Sequence, residues 1–172
     1  YVYLRGAETM GQCEAYDWAF DGEADRTFPE ALRRHLASES LEGILGLYYR
    51  EGESLVEPAG TDFIEDLDQV PIAAWDLIDL DAYRDVPSQN QWEKGTRYAT
   101  LFTSRGCPYK CIYCHDLFGK KFRYRSAEHV LEEMSLLIDR YGVDEFQIVD
   151  DIFNIHKPRL RKIFALLEER YP

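Results

Sequence analysis

No apolar run in this 172-residue chain approaches the roughly 18 to 20 residues a membrane span requires, and no secretory signal pattern is visible. A membrane-spanning helix is therefore not expected. Positive charge is scarce: 20 Lys and Arg stand against 32 Asp and Glu, a formal net charge of −12. Such a surface repels phosphate backbones and anionic lipid alike, which counts against nucleic acid as a partner. Cysteine is scarce too, at four residues, yet three of the four fall in one short stretch. Nothing marks the chain as secreted, and pairing two of the three would strand the third, so a disulfide framework is not expected. Reduced, clustered thiols point instead to a cytoplasmic location. The composition is 45% hydrophobic and 14% aromatic, ample for a packed core and unlike that of a disordered segment. The chain starts at Tyr1 without an initiator Met and stops at Pro172 just after a helical pattern, and reads as a fragment holding one domain or two small or incomplete ones.

The stretch Ser104-Arg-Gly-Cys-Pro-Tyr-Lys-Cys-Ile-Tyr-Cys-His115 places Cys107, Cys111 and Cys114 in a Cys-x3-Cys-x2-Cys spacing. Three close thiolates without a fourth can occupy three corners of a four-iron, four-sulfur cluster and leave one iron open to exchange. Ferredoxin runs fill every corner and suit electron storage, whereas an open corner suits chemistry. The alternative is a closed structural zinc site in an interaction module, with His115 or Cys13 as fourth ligand. Upstream, Arg97 to Thr103 is rich in β-branched and aromatic residues and reads as a strand, which Gly106 and Pro108 turn into a loop. The thiols are thus expected on a loop at the carboxyl end of a strand, where α/β folds place their chemistry.

Beyond the loop, Ser126 is expected to cap a helix with Val130, Leu131, Met134, Leu137, Ile138 and Tyr141 on its apolar face and Gly142 as its left-handed stop. Glu145 to Val149 reads as a second strand, and Pro158 opens a second helix carrying Leu160, Ile163, Phe164 and Leu167. Strand, helix, strand, helix at these lengths means parallel βα units. The second strand delivers Asp150 and Asp151 to the same edge as the thiol loop, as ligands for a cationic group or as a capping pair. His129 and His156 have no partner at ligand spacing and read as surface or packing residues. Lys120, Lys121, Arg123 and Arg125 alternate with Phe122 and Tyr124, either as an RNA-contacting stripe or as an edge supporting the loop.

Toward the N-terminus, Tyr1 to Leu4 and Tyr16 to Phe20 are short apolar runs expected as strands. Thr27 with Glu30 forms a capping box for a helix with Pro29 in its first turn and Phe28, Leu32 and Leu36 on one face. Strand, Gly turn, helix is a piece of a doubly wound α/β domain. Gly43 to Glu57 reads as a β-hairpin around Glu51-Gly52-Glu53. Residues 66–85 read as a connector pinned by Leu67, Val70, Trp75, Leu77, Leu80 and Tyr83, with Pro87 to Glu93 as the flexible boundary.

Arg-Gly-Cys-Pro-Tyr-x-Cys-x-Tyr-Cys after a strand resembles the cluster motif of the radical S-adenosylmethionine (SAM) enzymes. The resemblance implies that SAM chelates the open iron and that one electron splits its sulfonium into methionine and a 5′-deoxyadenosyl radical. It implies a place near the adenine for Tyr113, which composition alone would allow as a core aromatic, and it assigns Asp150 and Asp151 to SAM, since Asp150-Asp151-Ile152-Phe153 matches the Asp-Asp-x-Phe of the cobalamin-binding subfamily. Gly22-Glu23-Ala24-Asp25 before Thr27-Phe28 resembles the Gly-Glu-Gly-Glu-x-Thr-Phe that closes that subfamily's cobalamin domain, with Gly6, Gly22 and Glu23 at the positions that approach cobalamin. The earlier Gly-Gly is Arg5-Gly6 here, and the Asp-x-His-x-x-Gly loop that can supply a cobalt ligand is absent. The expected α/β architecture is then the end of a Rossmann-like cobalamin-binding domain (1–40), a hairpin and connector (41–95), and the first two βα units of a partial TIM-type barrel (96–172). The implied activity is radical SAM chemistry on a small-molecule substrate, with cobalamin-dependent methyl transfer to carbon or cyclisation, fed by an electron donor such as flavodoxin or ferredoxin. No catalytic residue is identified, and the isolated chain is expected to hold a cluster poorly and turn over slowly. An RNA-modifying methylthiotransferase is the rival within the superfamily, and the charge of −12 opposes it.

Overall fold

Strand, helix, strand, helix, with a two-stranded ribbon between the first strand and the first helix, is the order found from Tyr98 onward, in a computed structural model that describes residues 2–83, 97–114 and 117–172. The chain divides into two units, Tyr1–Glu65 with Tyr113–Phe118, and Asp66–Ile112 with Gly119–Pro172. Among the described residues, no helix is long and apolar enough to cross a membrane.

In the second unit, β4 (Tyr98–Leu101) and β7 (Glu145–Ile148) pair in parallel, Tyr98 opposite Glu145 and Leu101 opposite Ile148. A parallel pair needs a crossover, and α3 (Ala127–Tyr141) supplies it before α4 (Lys157–Arg170) follows β7. Helix α3 begins and ends where its sequence signals stand. The Ser126 side chain accepts from the His129 amide at 3.1 Å, and Gly142, at φ 65°, accommodates the left-handed stop. Val130, Met134 and Leu137 are buried against Ala99, Leu101, Val143 and Ile163, while Leu131, Ile138 and Tyr141 are half-buried. Of the face expected on α4, Ile163 enters this core and Phe164 stays exposed. Pro158 lies in the first turn of α4, and His156 caps it, its Nδ1 accepting from the Arg159 amide.

The connector is a run of short 3-10 turns, Leu67–Gln69, Trp75–Leu77 and Leu80–Tyr83. Leu67 and Trp75 are buried, and Trp75 enters the core of the βα units. Leu77 and Tyr83, also expected as pins, are exposed. The expected flexible boundary at Pro87 to Glu93 lies outside the described residues.

Asp68 reinforces the start of α3 by accepting from the Ser126 amide at 2.7 Å. Burial works against its ionised form, but the Ser126 hydrogen bonds and neighbouring His129 outweigh burial and hold the carboxyl below its ordinary range. With the folded pKa below the unfolded one, this contribution is present above the unfolded value and is lost as pH falls through the folded one. Asp68→Asn is therefore expected to lower stability at neutral pH and to flatten the decline below about pH 4, as measured by urea unfolding across the acid range.

The first unit departs further from expectation. Val2–Gln12 is a helix, α1, and the strand expected over Tyr1 to Leu4 does not form. A four-residue apolar run does not distinguish the two states by period; Gly6 and Met10, one turn apart, are both buried in α1. β1 (Trp18–Phe20) pairs antiparallel with β2 (Leu47–Glu51), which pairs antiparallel with β3 (Ser54–Val56). The hairpin turns at Gly52, φ 63°, as expected, but it completes a sheet with β1, and among the described residues β1 has no parallel partner strand. Gly46 lets β2 approach β1: its φ is 75°, its carbonyl accepts from the Asp21 amide at 2.8 Å, and a Cβ there would lie 2.3 Å from the Asp21 carbonyl oxygen.

Helix α2 (Ala24–Leu36) starts three residues before the expected capping box, so Thr27, Pro29 and Glu30 lie inside it. Glu30 instead pairs with Arg33 and Arg34. The face expected to be buried is largely uncovered: Phe28, Leu32 and Leu36 are exposed, and Ala31 is the buried contact. Phe28 still makes edge contacts to Phe20 and Trp18, with ring centroids 5.8 and 6.5 Å apart.

Candidate functional site

The cysteine loop begins at the carboxyl end of β4. Two residues on, β5 (Ser104–Arg105) pairs antiparallel with β6 (Arg123–Tyr124), Ser104 opposite Tyr124 and Arg105 opposite Arg123. The Cys107 amide donates to the Gly119 carbonyl at 3.3 Å, closing the loop one step beyond this ribbon. Gly106, at φ 82°, makes the turn into the loop in a conformation that side-chain-bearing residues rarely adopt.

All three loop thiols are free of disulfides; Cys107 is half-buried, and Cys111 and Cys114 are exposed. Among the described residues, no three His, Cys, Asp or Glu side chains converge as a metal site. His115, a candidate fourth zinc ligand, lies outside the described residues; Cys13, the other, is half-buried just after α1. The donor set nevertheless suits an iron–sulfur cluster: three reduced thiols on one short loop, with two open to solvent. Tyr113 is 89% exposed, which removes the reading of it as a core aromatic.

The two aspartates after β7 differ in their surroundings. Asp151 is exposed. Asp150 reaches the strand-to-loop corner, where its Oδ1 accepts from the Thr103 and Ser104 amides at 2.6 and 3.0 Å and its Oδ2 from the Thr103 and Ser104 hydroxyls, each at 2.6 Å. An ionised carboxylate has about four acceptor positions, so the corner uses all of them. This alters the expectation that both carboxylates face SAM, because Asp150 is already saturated by the protein.

Arg159 holds the same corner from α4. Its Nε donates to the Arg125 carbonyl at 2.7 Å and its Nη2 to the Thr103 carbonyl at 2.8 Å, and only 4% of the residue is exposed. Burial lowers its pKa, with Asp150 opposing that shift and Arg125 adding to it. Its guanidinium lies 5.4 Å from the Tyr124 ring centroid, and that ring stacks on His156. Arg125 donates through Nε to His129 Nδ1 and through Nη2 to the His129 carbonyl; its Nη1 reaches the Phe102 carbonyl and the buried Glu133 carboxylate. The other Glu133 oxygen accepts from Trp75 Nε1 at 2.8 Å. Arg123 is buried as well, so two cations of the basic–aromatic stripe turn into the protein, as a support for the loop requires. Both histidines set aside as ligands prove to be packing and capping residues.

Thr103, Ser104, Glu133 and Arg159 were not legible as site residues, whereas Arg125 stood in the basic–aromatic stripe read from the sequence. Thr103 and Ser104, hydroxyls directly before Arg-Gly-Cys, carry the only local signal; Arg159 lies 56 residues from its Thr103 partner.

The residues matched to cobalamin contacts are occupied by their own unit. Gly6 lies within α1, not at a strand end, and a Cβ there would lie 2.6 Å from the Tyr48 ring. Gly22, at φ 86°, abuts Thr61 and Asp62, with a Cβ position 2.3 Å from Thr61 Cγ2. The Glu23 amide donates to the Asp62 carbonyl at 3.1 Å, and Glu23 Oε2 accepts from the Ile64 amide at 2.9 Å. Arg26 adds a forked pair to Asp62 at 2.7 and 3.2 Å. Gly6 is thus packed against Tyr48, and Gly22 and Glu23 bind residues 61–64, so among the described residues these positions do not fit that role.

Among known proteins, the family model of the radical SAM superfamily matches residues 101–171. An uncharacterised methyltransferase of Pyrococcus horikoshii is 35% identical over 153 residues, covering 88% of this chain and 32% of its own length. Cytidylyl-2-hydroxyethylphosphonate methyltransferase of Streptomyces wedmorensis is 35% identical over 177 residues, covering 89% of this chain and 33% of its own length. Among solved structures, the cobalamin-dependent S-adenosylmethionine radical enzyme OxsB, with aqua-cobalamin and S-adenosylmethionine bound, matches with a TM-score of 0.75 at 20% identity, over 99% of this chain and 24% of that one. The likeness to OxsB carries the fold alone. The chain spans about a third of the length of these two methyltransferases.

Proposed function

From membership of the radical SAM superfamily, to which the chain belongs through residues 101–171, we propose that Cys107, Cys111 and Cys114 hold a four-iron, four-sulfur cluster whose remaining iron binds SAM. The observation that carries this reading is the set of three free thiols, spaced x3 and x2, on a loop launched from the carboxyl end of a parallel strand. When bound, cluster and SAM together supply reductive cleavage of the sulfonium to a carbon radical. The protein's part is to hold and shield: the β5–β6 ribbon closes the base of the loop, exposed Tyr113 is available to cover the adenine, and Asp151 is the carboxylate assigned to the SAM ammonium group.

For the whole protein, the names of the two methyltransferases support methyl transfer to a small-molecule substrate, and the resemblance of its motifs to the cobalamin-binding subfamily extends this to a carbon acceptor with cobalamin as a further cofactor; Gly6, Gly22 and Glu23 take no part in holding it on this reading. Residues 96–172 are the first two βα units of a partial barrel, residues 1–40 the end of a Rossmann-like cobalamin domain, and residues 41–95 the hairpin and connector between them. The electron comes from a reduced flavodoxin or ferredoxin, and the thiol chemistry favours the cytoplasm. The inward turn of Arg123 and Arg125 further disfavours RNA as substrate.

Anaerobic reconstitution of the full-length protein with iron and sulfide tests the reading. Equal iron and sulfide with broad visible absorption, and release of methionine and 5′-deoxyadenosine on reduction with SAM, are expected. A colourless protein carrying one tightly held zinc would establish the interaction module instead.

A further inference from the structure

We infer that Asp150 and Arg159 are positioning residues that set the geometry of the cysteine loop, with Asp150 acting through Thr103 and Ser104 and not on SAM; the consequence for cofactor binding rests on the cluster reading above. Residues 103 and 125 bracket the whole excursion of ribbon and loop. The Thr103 carbonyl accepts from the Arg125 amide at 3.0 Å and from Arg159 Nη2 at 2.8 Å, while Arg159 Nε binds the Arg125 carbonyl. One guanidinium thus joins the start of the excursion to its end. Asp150 grips the start from the other side with four hydrogen bonds. Thr103 is fully buried and Ser104 is 2% exposed, so these charge-assisted bonds form largely out of reach of water. Both clamping residues come from the second βα unit, Asp150 just after β7 and Arg159 from α4. The base of the cysteine loop is therefore held by a part of the chain that carries none of the thiols.

The division of labour between the Asp150 oxygens yields a discriminating substitution. Oδ1 meets only amide donors and Oδ2 only hydroxyls. In Asp150→Asn, the side-chain oxygen still accepts from both amides, and its NH2 donates to both hydroxyls once they rotate, because a hydroxyl can accept as well as donate. The clamp survives while the charge is removed. Asp150→Ala removes all four bonds.

Two measurements test this. In the cluster-free protein, Asp150→Ala is expected to speed amide exchange at Thr103, Ser104 and Cys107 by about tenfold or more, as loss of a charge-assisted bond implies, with Asp150→Asn close to wild type. In the reconstituted protein, Asp150→Ala is expected to weaken cluster retention by roughly 10- to 100-fold, as loss of outer-shell support does. Asp150→Asn should retain the cluster and the change that SAM produces in its electron paramagnetic resonance spectrum. Unchanged exchange in Asp150→Ala would overturn the clamp. A cluster retained in Asp150→Asn but no longer responding to SAM would show that the carboxylate charge acts on the ligand, and would overturn it too. If Asp150→Ala does not fold, Ser104→Ala removes a single arm and is expected to speed exchange at the same amides; no change there would overturn the clamp. Exchange is read without a cluster, so a wild type that takes up no iron sinks the function proposed above and leaves this test intact.

Discussion

Replacing Cys111 or Cys114 with alanine is expected to abolish the iron–sulfur chromophore and SAM cleavage while leaving unfolding free energy within about 0.5 kcal/mol of wild type, the range typical of surface substitutions. Both side chains are exposed and outside the core clusters, so the fold has little to lose. The cofactor has much to lose, because removing one of three thiolates opens a second iron corner and leaves the cluster on two anchors. Cys107→Ala is expected to match them in chemistry, with a somewhat larger stability cost because that thiol is half-buried. Chemical denaturation beside iron and sulfide analysis of each variant checks the pairing of a large cofactor effect with a negligible folding effect. A structural zinc site would lose metal and stability together, since a closed zinc site contributes directly to folding.

Glu133→Ala is expected to be strongly destabilising, at roughly 3–5 kcal/mol, the cost of removing one member of a buried ion pair. The carboxylate is 3% exposed and shared between Arg125 and the indole N–H of Trp75. Truncation leaves a mostly buried guanidinium facing a void and strands the indole donor. The loss also spreads, because Arg125 ties the end of the β5–β6 ribbon to the Phe102 carbonyl and Trp75 anchors the connector in the core. Glu133→Gln keeps an acceptor for Trp75 and should cost less. Urea unfolding followed by tryptophan emission measures both effects: a red shift in Glu133→Ala at zero denaturant would report Trp75 leaving the core.

What was legible in the sequence was what local chemistry decides. Ser126 and Gly142 bound α3 because a capping hydroxyl and a left-handed glycine act within one turn of themselves, and Gly52 marks the hairpin for the same reason. The thiol spacing located the candidate site directly. Residues whose role is set by distant partners were not legible. Thr27 and Glu30 have the form of a capping box, but Glu30 binds Arg33 and Arg34, and Glu23 precedes the true start of α2 while its carboxylate serves Ile64. Arg159 reads as a solvated helix arginine until Thr103 and Arg125 are brought beneath it. Asp150 and Asp151 are equivalent by sequence, and the fold separates them by filling every acceptor position of one.

The most direct test is electron paramagnetic resonance of the anaerobically reconstituted, reduced protein, recorded with and without SAM. An iron that lacks a protein ligand binds SAM itself, so the account predicts a reduced-cluster signal whose g-values and line shape change when SAM is added. A cluster signal identical in the two samples would contradict it.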